Sequence, residues 1–223
     1  RPVEAFNQVQ ETPPQAVFMN HGNHPGIIPR PRNRVAYDRP MTLPPTHLLY
    51  LHGFRSSPRS FKAQRTASAV AALAHPPHWW CPQLPPSPAQ AMAQIRQGIA
   101  DWPRERMAIL GSSLGGFYAA VLARQIGCPV VLLNPAVHPA RDLAGYIGEH
   151  PAWHDPDQRL HFEASFIGEL QALEATQAQH TPATLAVVAQ GDEVLDWREM
   201  LAAYGHDHVR LIEGSDHALS DFD

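Results

Sequence analysis

From residue 41 onward, short apolar runs alternate with longer stretches of helical spacing. The runs His47–Leu51, His78–Cys81, Met107–Leu110, Val130–Leu133, Leu185–Ala189 and Val209–Ile212 are largely apolar along their length rather than alternating. That is the pattern of strands covered on both faces. Between them, residues 59–74, 88–101, Leu114–Ile126 and Trp197–Tyr204 carry helical spacing. The second of these opens on proline and sets Ala91, Ile95 and Ile99 on one side. Strands separated by helices of this length imply parallel crossovers. The predicted fold is therefore α/β: a mostly parallel central sheet of about six strands with helices on both faces. Residues 140–180 break the rhythm, showing no clear strand and mostly polar helical character, and are expected to form a small cap-like segment over a site.

Residues 1–40 show neither periodicity and lack the charged start and apolar centre of a secretory signal. They are read as a disordered or non-native extension, leaving 41–223 as the folded domain. Proline, at 23 residues, concentrates in this extension and in 76–88, where it marks loop. A chain of 223 residues, 44% hydrophobic and 17% charged, is long enough for one domain with a sizeable core. The net charge of −4 is spread evenly, leaving no basic stripe for nucleic acid and no polybasic membrane patch. No apolar run is long enough to span a bilayer. Two cysteines, Cys81 and Cys128, make neither a disulfide framework nor a zinc cluster, which fits a reducing, cytoplasmic setting.

Gly111-Ser112-Ser113-Leu114-Gly115 follows one predicted strand and opens the next predicted helix, the context in which a G-x-S-x-G turn works. A chain reversing that sharply forces the central residue into a strained conformation. It also brings the residues two before and two after against neighbouring backbone, so both must lack side chains. Ser113 is thereby lifted to the carboxyl edge of the sheet as a candidate nucleophile. A phosphate-binding reading fails, because no lysine follows the second glycine pair and G-x-G-x-x-G is absent.

A serine hydroxyl needs a base to take its proton. His217, in the polar loop after the last predicted strand, is the candidate among 14 histidines. The base in turn needs a carboxylate to fix its tautomer. Asp192, directly after the strand Leu185–Ala189, fills that role, in the chain order Ser, Asp, His. Glu193 and Asp196 are rivals, although Asp196 suits a helix cap; Asp216 adjoins His217 and reads as loop solvation. The oxyanion needs fixed donors, and the backbone N–H groups of Phe54 and Leu114 are the candidates. His52 is expected to support the Phe54 loop by hydrogen bonds, Gly53 to let that loop approach substrate, and Asn134 to line the acyl pocket. All of these fall at strand ends on one edge of the sheet, where open α/β sheets place their sites.

The segments LLYLHGFRSSPRSFKAQ (48–64), CPQLPPSP (81–88), LGSSLGGFYA (110–119), LLNPAVHP (132–139), QGDEVLDWRE (190–199) and GSDHAL (214–219) resemble the α/β-hydrolase superfamily. More narrowly, they resemble the small bacterial YqiA-type esterases. The resemblance covers most of the chain from Thr46 onward and implies a cytoplasmic esterase without metal or organic cofactor. It carries nucleophile, acid and base onto Ser113, Asp192 and His217, and the oxyanion donors onto Phe54 and Leu114. Two departures stand out. The first 40 residues have no counterpart, and the chain stops at Asp223 where such proteins continue into a helix. The latter is expected to expose the sheet near its last strands and to loosen the His217 loop.

His21 and His24 read as solvated tail residues rather than a metal pair. His150, His154 and His161 lack an H-E-x-x-H arrangement. Trp79 and Trp80, with no basic cluster beside them, read as packing rather than a base-stacking platform. The expected function is hydrolysis of a small carboxylic ester or thioester, with a small-molecule acyl ester as the partner and no cofactor. Acyl transfer by the same residues is an alternative, as is a catalytically silent hydrolase fold used for binding.

Overall fold

The structure is a computed structural model that describes residues 43–152 and 155–221. The expectations for residues 1–40, including His21 and His24, and for His154 fall outside the described residues. In chain order the first half comprises β1 (His47–Leu51), α1 (Phe61–Ala71), β2 (His78–Trp80), α2 (Pro88–Gly98), β3 (Met107–Ser112), α3 (Leu114–Ile126) and β4 (Val130–Leu133). The second half comprises α4 (Pro139–Asp142), β5 (Gly148–Ala152), β6 (Asp155–Phe162), α5 (Ser165–Glu174), β7 (Thr184–Ala189), α6 (Trp197–Tyr204) and β8 (Val209–Ile212).

Six strands form one sheet in the order β2-β1-β3-β4-β7-β8, every neighbouring pair parallel. Leu49, Leu51, Ile109, Leu132, Ala186 and Val188 within it are fully buried, which is why these strands read as apolar runs. From β1 the chain winds outward to β2, then returns to the other side of β1 as β3. The loops after β1 and β3 thus diverge at adjacent strand ends, opening a crevice at the switch point. Helix α3 is buried continuously from Leu114 to Ala123, so its sequence is apolar on all sides. Among the described residues, no helix is long and apolar enough to cross a membrane.

The segment expected to lack strands contains an antiparallel pair, β5 and β6, separate from the main sheet, followed by α5. Its sequence hides this. β5 contains Pro151 and no β-branched residue, and β6 opens Asp-Pro-Asp, so β propensity is low. What holds the pair is packing at one end, where Phe162 is fully buried against Phe54 and Phe166 with ring centroids 5.3 and 5.4 Å apart.

Two glycines allow a direct check on how tightly β1 and α3 meet. A Cβ on Gly115 would lie 2.2 Å from the carbonyl oxygen of Leu51, whereas one on Gly168 in α5 would meet nothing within 4 Å. Gly115→Ala is expected to destabilise the fold by roughly 1–3 kcal/mol through overpacking. Gly168→Ala is expected to stabilise it by about 0.5–1 kcal/mol through helix propensity. Urea midpoints of the two variants would check the opposite signs.

Candidate active site

Ser113 sits between β3 and α3 at φ 55 and ψ −123, a conformation that costs on the order of 1–3 kcal/mol for a residue with a side chain. The surroundings impose it. The Ser113 N–H donates to the Leu133 carbonyl at 3.0 Å, and the Ser113 carbonyl accepts from Gly116 at 2.9 Å and Ala136 at 3.1 Å. Space is equally constrained: a Cβ on Gly111 would lie 2.3 Å from the Gly115 carbonyl oxygen. Across the crevice, a Cβ on Gly53 would lie 3.1 Å from that of Ser113, so the loop after β1 runs directly over the serine.

That loop is set by His52, which is buried. The Leu84 N–H donates to His52 Nε2 at 3.1 Å, which leaves the ring proton on Nδ1 to donate to the Gly53 carbonyl at 3.0 Å. The same carbonyl accepts from the Ser56 N–H at 3.2 Å. In a trans peptide the following N–H points the opposite way, so holding the Gly53 oxygen fixes the direction of the Phe54 amide. Neither the Phe54 nor the Leu114 N–H has an acceptor among the described residues. The Phe54 ring packs edge-on against Tyr146 and Phe162, and Arg55 Nε donates to the Pro151 carbonyl at 2.8 Å. The hairpin segment therefore braces the same loop from outside.

His217 and Asp192 come together from the loops after β8 and β7. Gly191 permits this, since a Cβ there would lie 2.5 Å from the Ser215 carbonyl oxygen. His217 Nδ1 donates to Asp192 Oδ2 at 2.8 Å, and the Asp192 side chain is wholly buried. Its other oxygen accepts from the Val194 and Leu195 amides at 2.9 and 2.8 Å. A carboxylate so supplied with donors is held in one orientation. Asp196 instead caps α6 through the Arg198 amide, and Asp216 accepts twice from Ser220, which holds its carboxyl below the ordinary range.

Three further side chains, none of them assigned this role from the sequence, grip the His217 backbone. Glu193 Oε2 accepts the His217 N–H at 3.0 Å. The His217 carbonyl accepts from Asn134 Nδ2 and from Lys62 Nζ, each at 3.1 Å. The histidine has its N–H, its carbonyl and Nδ1 all engaged, and Nε2 is the polar atom left over. Asn134, expected at the acyl pocket, is instead fully buried with its amide committed elsewhere: Oδ1 accepts the Ala189 N–H at 2.8 Å, while Nδ2 also reaches the Asp216 carbonyl. Its φ of 42 suits asparagine better than most residues.

Ser113, His217, His52, Gly53 and Phe54 line one cavity of about 900 Å³. Its remaining wall is largely apolar, from Tyr50, Leu114, Leu143, Tyr146 and Leu195, with Lys62, Arg55, Glu193 and Asp142 at intervals. Among the described residues, no cluster of three or more His, Cys, Asp or Glu side chains is placed to hold a metal ion.

A parallel sheet in this order, with the serine turn after its third strand, is the α/β-hydrolase fold. The chain belongs to the YqiA-like family UPF0227 (Uncharacterised protein family), which it matches over residues 47–223. Solved structures of similar fold include a candidate hydrolase from Agrobacterium vitis, with 16% identity and a TM-score of 0.62, covering 80% of this chain and 85% of that one. Another is the mouse alpha/beta hydrolase domain-containing protein 10, with 16% identity and a TM-score of 0.57, covering 77% and 81%. A third comes from the metagenome-derived lipolytic enzymes LipS and LipT, with 18% identity and a TM-score of 0.54, covering 79% and 87%.

Asn134→Ala would leave the buried Ala189 N–H unpaired and release the His217 loop. A loss on the order of 3 kcal/mol is expected from the orphaned donor and lost bonds, measured by denaturant unfolding. Faster hydrogen exchange at residues 214–218 than in the parent should accompany it.

Proposed function

We propose that this chain is a serine hydrolase that cleaves carboxylic esters or thioesters with an apolar acyl group, through an acyl-enzyme on Ser113. The observation that carries the reading is the His217 arrangement. Each polar atom except Nε2 is fixed by a partner, and the residue shares a cavity with a serine held at φ 55.

In this reading the bond from Nδ1 to Asp192 selects the tautomer in which Nε2 is the acceptor. Nε2 takes the Ser113 proton as Oγ attacks the acyl carbon, and Asp192 stabilises the imidazolium that results. The oxygen of the tetrahedral intermediate is received by the Phe54 and Leu114 amides, the latter at the N-terminus of α3, where the helix dipole adds to the donor. A fixed donor of this kind contributes about 10²–10³-fold in rate. The imidazolium then protonates the leaving oxygen or sulfur. Water, deprotonated by the same nitrogen, attacks the acyl-enzyme and frees the acid. The apolar cavity wall at Leu143, Tyr146 and Leu195 receives the acyl group.

Intact mass after fluorophosphonate treatment, with peptide mapping, tests the assignment. One adduct on Ser113 is expected, lost in Ser113→Ala and slowed by at least about 10³-fold in His217→Ala. No adduct on a folded sample, or an adduct on another serine, would overturn it. Asp192→Asn should slow ester hydrolysis by roughly 10⁴-fold near neutral pH, because the wrong tautomer is then favoured.

A further inference from the structure

Lys62 stands where local physics disfavours it. It is the second residue of α1, inside the first turn, where the helix dipole opposes a cation. That turn has no acidic residue, and Ser60 makes no side-chain cap to offset the charge. The side chain is half-buried and lines the catalytic cavity instead of extending into solvent. A residue that breaks several local preferences together points to a role in the site.

Its amine donates to the His217 carbonyl at 3.1 Å, on the same oxygen reached by Asn134. The charged and titratable groups around it come from two loops: Asp192 and Glu193 after β7, and Asp216 and His217 after β8. All three carboxylates act on the Lys62 amine, and Asp192 also holds the imidazole at Nδ1. Negative charge left unopposed beside an imidazole favours its protonated form, in which Nε2 cannot act as a base. A cation among the carboxylates opposes that.

We propose that Lys62 is a positioning residue for the His217 base, fixing its backbone carbonyl and placing a positive charge among Asp192, Glu193 and Asp216 that keeps the imidazole available to accept a proton. This rests on the serine-hydrolase reading above for its catalytic meaning, but the geometry and the electrostatics are independent of it. Burial pulls the Lys62 amine down to about 8, while the three carboxylates pull the other way. The charge is thus present through neutral pH and fades as pH rises past about 8, where an imidazole no longer needs it.

The test measures the rate of fluorophosphonate labelling against pH for the parent chain, Lys62→Met and Lys62→Arg, with folding checked by circular dichroism and thermal melting. In Lys62→Met the acid limb should move to higher pH by about one unit, so that labelling at a pH on that limb falls by up to tenfold. Lys62→Arg keeps the charge and should return the acid limb towards the parent position. If Lys62→Met melts lower but keeps the parent's acid limb, the residue is only a structural prop and the proposal is overturned. If the parent itself is not labelled, the hydrolase reading fails first. Lys62 is then judged by the pH titration of the His217 ring proton in NMR, identified by its loss in His217→Asn. An upward move in Lys62→Met supports the electrostatic role, and an unchanged titration overturns it.

Discussion

The close approach of three backbone segments at the switch point of the sheet is the constraint on which the site rests. The end of β1, the end of β3 and the first turn of α3 share a space in which several side chains are not tolerated. Gly115 lies against the Leu51 and His52 carbonyls, Gly111 against the turn of α3, and Gly53 against Ser113. Because none of these contacts can relax, the positive φ of Ser113 is imposed by its surroundings rather than chosen locally. The same compression sets the distance between the serine and the loop that carries the Phe54 amide. A strained residue in a loose region would revert; here reversal would have to move a strand.

A second kind of fixation operates on the other side of the cavity, where packing is weaker and hydrogen bonds take over. The His217 loop lies after the last strand of the sheet, at its edge. Its position is set by Asn134 from the loop after β4, Lys62 from α1, and Asp192 and Glu193 from the loop after β7. These bonds include charge-assisted ones, which are stronger and more directional than neutral pairs. The backbone compression therefore defines where the serine is, and a polar network defines where His217 is. The two meet through Ser113 O, which accepts from Ala136, two residues beyond Asn134.

What the chain reveals without a structure follows from how local the controlling physics is. The six main strands were legible because burial on both faces makes each of them an apolar run, and Ser113 because the glycine spacing of the turn is a local steric demand. Asp192 and His217 were legible as polar residues just past strand ends. The hairpin β5–β6 was not, since its strands hold by mutual pairing and by Phe162 meeting Phe54, a contact across a hundred residues. Asn134 was placed at the correct strand end but given the wrong partner, because nothing local tells whether its amide turns towards the cavity or the neighbouring loop. Lys62 carried one signal: it lies four residues before Thr66, on the side of α1 that buries Ala63 and Thr66. A lysine on the buried side of a helix's first turn is the anomaly that would have singled it out.

The hairpin's contribution ties these scales together. Phe54 follows the glycine that lies against Ser113, and its ring is gripped by Tyr146 and Phe162, while Arg55, at φ 60, reaches the Pro151 carbonyl. One short loop is thus held from inside by the His52 ring and from outside by the hairpin. Aromatic packing of this kind adds about 0.5–1.5 kcal/mol per pair beyond area burial, comparable to the strain of a single unfavourable backbone conformation. The aromatic cluster and the Arg55 bond therefore brace from outside a loop in which the Gly53 carbonyl already sets the direction of the Phe54 N–H. The hairpin therefore bears on the same loop that carries Gly53 over Ser113, so the cavity wall and the loop beside the serine are not independent in this chain.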